Sequence, residues 1–132
     1  MMPLRFAGYA ALFDRRDAGR DTIHPGAFAR TLRENGGAIP LLWQHRPDLR
    51  IGWIEAAAED ARGLRVRAAI DNAQGHAAMA LRRGTVTGLS FGYRARSARS
   101  TPEGRDLMAL DLFEVSLVTH PMQYAARVHL VA

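Results

Sequence analysis

Three residues of this sequence have the types that acyl-transfer chemistry uses: Ser90, His45 and Glu114. A serine hydroxyl is a weak nucleophile until a base removes its proton, and histidine can do so near neutral pH because its ordinary pKa is about 6.5. A carboxylate beside the imidazole holds the ring tautomer and stabilises the imidazolium that forms. The sequence therefore offers the parts of a serine hydrolase, provided that the fold brings them together.

Ser90 stands between two glycines, and residues 88–92 match the G-x-S-x-G pattern of a nucleophile elbow. That elbow requires a strand that turns sharply into a helix, whereas residues 93–96 continue as a strand, so we reject the α/β-hydrolase interpretation. On a strand, the period of two places Gly88, Ser90 and Gly92 on one face, which predicts open surface over the hydroxyl for an extended peptide. From spacing alone, an ordinary serine in a glycine-rich strand remains the alternative.

His45 follows the apolar run 39–43, so we expect it where a buried strand emerges into a loop, which is a common place for working side chains. An ordinary histidine at the surface or the edge of the core is the alternative. The other histidines lack the i, i+4 spacing of helical metal ligands. They are His24, His76, His120 and His129. The chain has no cysteine, which excludes disulfides, thiolate metal sites and a cysteine nucleophile. We expect no metal and no cofactor.

Glu114 interrupts the otherwise mostly apolar run 110–118. A carboxylate in such surroundings is costly unless it is paired or hydrogen-bonded, and an imidazole partner would meet that need. A glutamate that faces solvent, or that pairs with an arginine, is the alternative. Asp111 and His120 are rivals for the role of the third residue.

The elements that must position these residues are predicted to be mostly strands. Strand character is found in residues 4–13, 39–43, 50–57, 64–70, 85–95 and 107–119, and helix character in residues 27–33 and 72–83. The polar residues 59–63 suit a hairpin turn, and the polar residues 97–104 predict another turn. Gly36 and Gly37 are expected to end the first helix and Gly84 to cap the second. The tail from Met122 is expected to be partly helical. With no internal repeat and no linker, we predict a single domain over residues 1–132 that is mainly β with α (α+β).

Composition and charge limit the kinds of partner that the chain is expected to bind. The 132 residues are 48% apolar and 23% charged, which is ordinary for one globular domain. No apolar run approaches the ~20 residues of a membrane span, and the N-terminus does not resemble a signal peptide, so we expect a cytoplasmic protein. The formal charge is +5 and every basic residue is arginine, yet only Arg94, Arg96 and Arg99 form a local stripe. Nucleic acid is therefore a weak expectation, and an acidic protein partner is equally compatible with the charge.

Five segments, taken together and in order, resemble the prohead (capsid maturation) serine proteases of tailed bacteriophages and related gene transfer agents. The segments are residues 6–14, 23–28, 42–45, 88–93 and 112–119. The resemblance implies a β-barrel with a few surrounding short helices, similar to the herpesvirus capsid protease, and a serine nucleophile served by histidine. These roles fall on Ser90 and His45. The phage pattern points to Glu114 as the third residue, whereas the herpesvirus enzymes use a second histidine, which keeps His120 as a rival.

The resemblance also implies a substrate and a place of action. The expected substrate is the scaffold region of the major capsid protein, cleaved inside the immature capsid (the prohead) in the bacterial cytoplasm, with self-cleavage and a homodimer as further expectations. The chain is shorter than we expect of this family. A second hypothesis is a noncatalytic assembly module that binds capsid or scaffold protein through an arginine-rich surface.

Overall fold

A computed structural model describes residues 2–35 and 38–132. The elements in chain order are β1 (Leu4–Leu12), β2 (Asp21–Ile23), α1 (Ala29–Asn35), β3 (Pro40–Trp43), β4 (Arg46–Glu59), β5 (Gly63–Ile70), α2 (His76–Arg83), β6 (Gly88–Thr101), β7 (Gly104–Val118) and β8 (Val128–Val131). The prediction of a mainly β chain with short helices is confirmed. The predicted end of the first helix at Gly36 and Gly37 lies outside the described residues.

Strand β7 is the centre of the sheet. The strand order is β2-β7-β3-β4-β5-β1-β8, and β6 also pairs with β7. Strands β2 and β3 run parallel to β7 near its start and its end, while β6 runs antiparallel along its length. Three strands therefore pair with β7, and β2 and β6 pair with no other strand among the described residues.

The sheet curls but does not close. Residues 126 and 127, just before β8, lie between the start of β6 and β1. The Leu89 backbone N–H of β6 donates to the Ala126 carbonyl, and the Tyr9 backbone N–H of β1 donates to the Arg127 carbonyl. Gly88 and Arg127 form an isolated bridge, and a continuous ladder between β6 and β8 is not present in the described residues. The predicted barrel is therefore an open, curled sheet around one apolar core.

The long ribbon of β6 and β7 corrects the predicted polar turn at 97–104. Residues 97–101 continue β6, and only Pro102 and Glu103 separate it from β7. Cross-strand ion pairs stabilise this polar ribbon, because Arg99 donates to Asp106 at 3.0 Å and Arg96 donates to Asp111 at 3.0 Å. The sequence pattern missed it because both faces of the ribbon are polar.

The tail is not helical, so that prediction is wrong. Residues 128–131 form β8, whose backbone pairs with Phe6, Ala7 and Gly8 of β1. Gly8 allows this close approach, because a Cβ there would lie 2.5 Å from the Arg127 carbonyl oxygen. In the part of the chain that the structure describes, no helix has the length and apolar character to cross a membrane.

Candidate active site

His45 lies in a two-residue turn between β3 and β4. Trp43 and Arg46 pair across this turn, and Gln44 and His45 have φ of 53° and 60°. Two consecutive left-handed residues match the type I′ hairpin turn, which asparagine and glycine adopt with the least strain. The structure therefore places His45 at a strained position that the local sequence does not favour, as is common at functional sites.

The Gln44 side chain holds this turn against the end of β7. Its amide nitrogen donates to the Thr119 hydroxyl at 2.8 Å, and its amide oxygen accepts the Thr119 backbone N–H at 3.0 Å. The Gln44 backbone N–H donates to the Leu117 carbonyl at 2.9 Å. These three hydrogen bonds, the Gln44 clasp, extend the β3–β7 pairing beyond β3 and fix the turn that carries His45.

A β-bulge aims Glu114 away from the core. Tyr93 pairs with Leu112 and Gly92 with Glu114, so Phe113 is an extra residue in β7. Before the bulge, Leu110 and Leu112 face the core. After it, the core positions are Val115 and Leu117. A bulge re-aims the side chains that follow it, and this one puts Glu114 and Ser116 on the face opposite the core.

His45 and Glu114 are in direct contact on that face. His45 Nδ1 lies 2.5 Å from Glu114 Oε1, and the Ser116 hydroxyl donates to Glu114 Oε2 at 2.7 Å. The Glu114 side chain is only 13% exposed, whereas that of His45 is 41% exposed. The hydrogen bond with Glu114 raises the pKa of His45 above its usual value, although partial burial opposes this. Such a pair can hold one imidazole tautomer with Nε2 available as a base.

Ser90 lies one strand away from this pair. It is directly opposite Ser116 in the β6–β7 ladder, and the Ser116 hydroxyl accepts the His45 backbone N–H at 3.1 Å. Residues directly opposite on antiparallel strands share a face, so Ser90 is on the same side of the sheet as Glu114. Across residues 2–35 and 38–132, no hydrogen bond joins the Ser90 hydroxyl to the His45 ring.

The predicted open surface over Ser90 is not observed, because only 3% of this residue is exposed. The space beside the two flanking glycines is already occupied. A Cβ on Gly88 would lie 2.8 Å from the Pro121 ring, and one on Gly92 would lie 2.6 Å from Glu114 Oε1. The glycines thus admit the tail and the Glu114 carboxylate instead of leaving a gap.

The two rivals of Glu114 lie elsewhere. Asp111 accepts hydrogen bonds from Arg94 and Arg96, and the bond with Arg96 does most to lower the pKa of that carboxyl. His120 is exposed and follows the end of β7. The geometry therefore favours Glu114 as the carboxylate partner of His45.

The other three histidines have local partners. His24 lies 3.5 Å from Asp14 and 3.3 Å from Asp106, and His76 packs edge-on against Trp43. His129 packs on the Tyr9 ring. Among the described residues, no group of three or more histidines and carboxylates is arranged to hold a metal ion.

Sequence reasoning missed Ser116, Gln44 and the role of Gly92. Ser116 follows Glu114 by two residues, a spacing that puts both on one face of a strand, and this was the available signal. Gln44 carried no signal of its own, because its function depends on a turn that its sequence does not indicate.

The family of the chain follows from comparison with known proteins. The family described as caudovirus prohead serine protease matches residues 3–132. The chain belongs to this family. The prohead protease of Enterobacteria phage HK97 is 33% identical over an alignment of 123 positions, and the alignment covers 88% of this chain and 55% of the phage protein. This member of the prohead protease family thus spans about half the length of that relative.

Solved structures support the same fold for this prohead protease family member. The KSHV protease in complex with a hexapeptide phosphonate inhibitor is similar with a TM-score of 0.66 and 15% identity, covering 96% of this chain and 64% of that one. The varicella-zoster virus protease gives 0.65 and 20%, with 96% and 63% covered. The capsid assembly protease of bacteriophage T4 gives 0.67 and 13%, with 88% and 82% covered. The predicted likeness to the herpesvirus protease fold is confirmed.

Proposed function

We propose that the chain is a serine endopeptidase domain that cleaves the scaffold region of the major capsid protein during prohead maturation. Membership of the prohead protease family supports a peptidase role. The observation that carries the proposal is the contact of His45 Nδ1 with Glu114 Oε1, on the face of the sheet that also carries Ser90. A histidine whose Nδ1 binds a carboxylate has Nε2 free to act on a serine hydroxyl.

In this mechanism Ser90 is the nucleophile and His45 the base. His45 Nε2 takes the proton of the Ser90 hydroxyl as the oxygen attacks the peptide carbonyl, and the resulting imidazolium is stabilised by Glu114. The imidazolium then gives its proton to the leaving amine as the C–N bond breaks. Water, activated by the same imidazole, releases the acyl group and restores the Ser90 hydroxyl.

The outer edge of β6 offers a place for an extended substrate. The Leu89 N–H points away from β7, towards Ala126. Backbone groups of alternate residues point to the same side of a strand, so the N–H and C=O of Phe91 also point away from β7. On this side, within the described chain, no ladder pairs with β6 beyond the bridge at Gly88. An added substrate strand would gain backbone hydrogen bonds next to Ser90.

The burial of Ser90 favours a second candidate, a noncatalytic module that binds capsid or scaffold protein. A serine that is 3% exposed and has no bond to the His45 ring is not poised for attack in this state. Catalytic hydrogen bonds are often formed only when substrate binds, so the endopeptidase stays the better proposal. Arg94 and Arg99 face carboxylates of β7, which weakens the arginine-rich surface that the binding role would use.

A fluorophosphonate probe, which phosphonylates activated serines, separates the two candidates. We expect the probe to label Ser90 of the 132-residue chain, with no labelling in Ser90→Ala and normal labelling in Ser97→Ala, an exposed serine farther along β6. Coexpression with the cognate major capsid protein should yield a shortened capsid protein only when Ser90 is present. Normal capsid processing by Ser90→Ala would leave the binding role alone.

The family context supports further parts of the proposal. The site of action is the interior of the immature capsid in the bacterial cytoplasm, and the partner is the major capsid protein. Self-cleavage would appear in the same coexpression as a shortened product of the chain that Ser90→Ala lacks. A homodimer would appear as a doubled mass in sedimentation of the purified chain.

A further inference from the structure

The Ser116 hydroxyl joins the two parts of the candidate base. It accepts the His45 backbone N–H at 3.1 Å and donates to Glu114 Oε2 at 2.7 Å, while Glu114 Oε1 contacts His45 Nδ1 at 2.5 Å. The three residues form a closed ring of hydrogen bonds. One oxygen atom thereby ties the main chain of the strained turn to the carboxylate that meets the imidazole.

We propose that Ser116 is a positioning residue that locks the geometry of the His45–Glu114 pair. This inference rests on the proposed function. By occupying Oε2, the hydroxyl leaves Oε1 to face the imidazole and prevents rotation of the carboxylate. By accepting the His45 N–H, it sets the height of the turn above the sheet. A second group that orients a reacting side chain commonly affects activity without contact with substrate.

Burial distinguishes this role from that of a nucleophile. Ser116 has no exposed surface, and its proton is directed at Glu114 Oε2. Ser90, directly opposite on β6, makes no such bond among the described residues. Ser116 therefore acts through Glu114 and His45 and does not touch the substrate.

The chain offers a matched control in Thr31. This residue is also buried, and its hydroxyl accepts a β7 backbone N–H, that of Leu112, at 3.0 Å. Threonine and valine have nearly the same shape, so Thr31→Val removes this hydrogen bond and the one that the hydroxyl accepts from Asn35 Nδ2 at 3.2 Å, but none of the bonds that join His45, Glu114 and Ser116. Within the site, Ser116→Thr and Ser116→Val form a second matched pair, since both add the same methyl group and only threonine keeps the hydroxyl.

The test uses two readouts on the 132-residue chain: the rate of Ser90 labelling by a fluorophosphonate, and the proton NMR signal of His45 Nδ1–H, assigned by its loss in His45→Ala. We expect Ser116→Ala and Ser116→Val to slow labelling on the order of 10-fold to 100-fold and to move or broaden the signal. Ser116→Thr should keep most of the rate, and Thr31→Val should alter neither readout. If Ser116→Val does not fold, Ser116→Ala, which removes atoms and adds none, carries the comparison.

Wild-type rate and signal in Ser116→Ala, or equal losses in the threonine and valine variants, would assign Ser116 to packing alone. Equal losses in Thr31→Val would assign them to general stability. If the wild-type chain does not label at Ser90, the proposed function fails, while the His45 signal still tests the positioning role on its own.

Discussion

Gly92→Ala tests the site with the smallest change that the chain allows. Gly92 lies opposite Glu114, and a Cβ at this position would be 2.6 Å from Glu114 Oε1, the oxygen that contacts His45 Nδ1. The atom in the way is the end of a flexible side chain, so the carboxylate can move while the backbone stays in place. Alanine is also better than glycine in a strand, by roughly 0.5–1 kcal/mol. The expected effect is therefore on chemistry and not on folding.

The size of the effect follows from the required displacement. Ordinary van der Waals contact begins at 3.4 Å, so Glu114 Oε1 must retreat by about 0.8 Å. Misplacement of a reacting group by ~1 Å costs on the order of 10²-fold in rate, or about 2.7 kcal/mol of activation free energy. Because the bond with Glu114 raises the pKa of His45, this pKa should also fall towards its ordinary value.

The assay is the rate of Ser90 labelling by a fluorophosphonate as a function of pH, combined with urea unfolding of each variant. Glu114→Ala supplies the control, since it removes the carboxylate that the new methyl group would displace. Adding Gly92→Ala to Glu114→Ala should change the rate no further. Full activity in Gly92→Ala, or a second 10²-fold loss in the Glu114→Ala background, would refute this reasoning.

The hydrogen bonds of Glu114, Gln44 and Asp21 determine the expected effects of three other substitutions. Glu114→Gln should lower the labelling rate on the order of 10⁴-fold. In the wild-type chain the bond with Glu114 raises the pKa of His45, so the variant should lose this shift and its rate should begin to rise at lower pH; an unshifted pH profile would contradict the pairing. Gln44→Ala removes the two side-chain hydrogen bonds of the Gln44 clasp and keeps the backbone one. It should destabilise the chain by about 1–3 kcal/mol in urea unfolding and slow labelling, and a variant with unchanged rate and stability would show that these two bonds do not fix the turn. Bonding with Arg105 lowers the pKa of Asp21, so the stability that Asp21 contributes is present at neutral pH and lost as pH falls through that lowered pKa. Asp21→Asn should be destabilised at pH 7, with the deficit shrinking as pH falls through the lowered pKa of Asp21, and an equal deficit at neutral and strongly acidic pH would oppose this.

The regular elements were predictable because their sequences carry a period. The first strand alternates buried and exposed side chains at its start, and Gly84 ends the second helix with φ of 75°, as its position after residues 72–83 indicated. The ordered segments also predicted the family, which the comparison confirmed. Local pattern was sufficient wherever one face of an element meets the core.

The features that build the site could not be predicted in this way. The turn at Gln44 and His45 lacks the asparagine or glycine that marks a left-handed pair, and its stability comes from contacts with Thr119, far along the chain. The bulge at Phe113 has no local signature, since a shift of register is visible only against the partner strand. The sequence indicated Ser90 and His45 as candidates by their residue types. The hydrogen bonds that join His45, Glu114 and Ser116 could be found only in the tertiary structure.

The central position of β7 determines when the candidate site can exist during synthesis. His45 and Ser116 are 71 residues apart, and both Glu114 and Ser116, which contact His45, belong to β7, the last strand of the candidate site to emerge from the ribosome. A nascent chain that has folded β1 to β5 therefore has a histidine turn with neither its carboxylate nor its backbone partners. The candidate site therefore cannot form in the nascent chain before residues 104–119 have been synthesised.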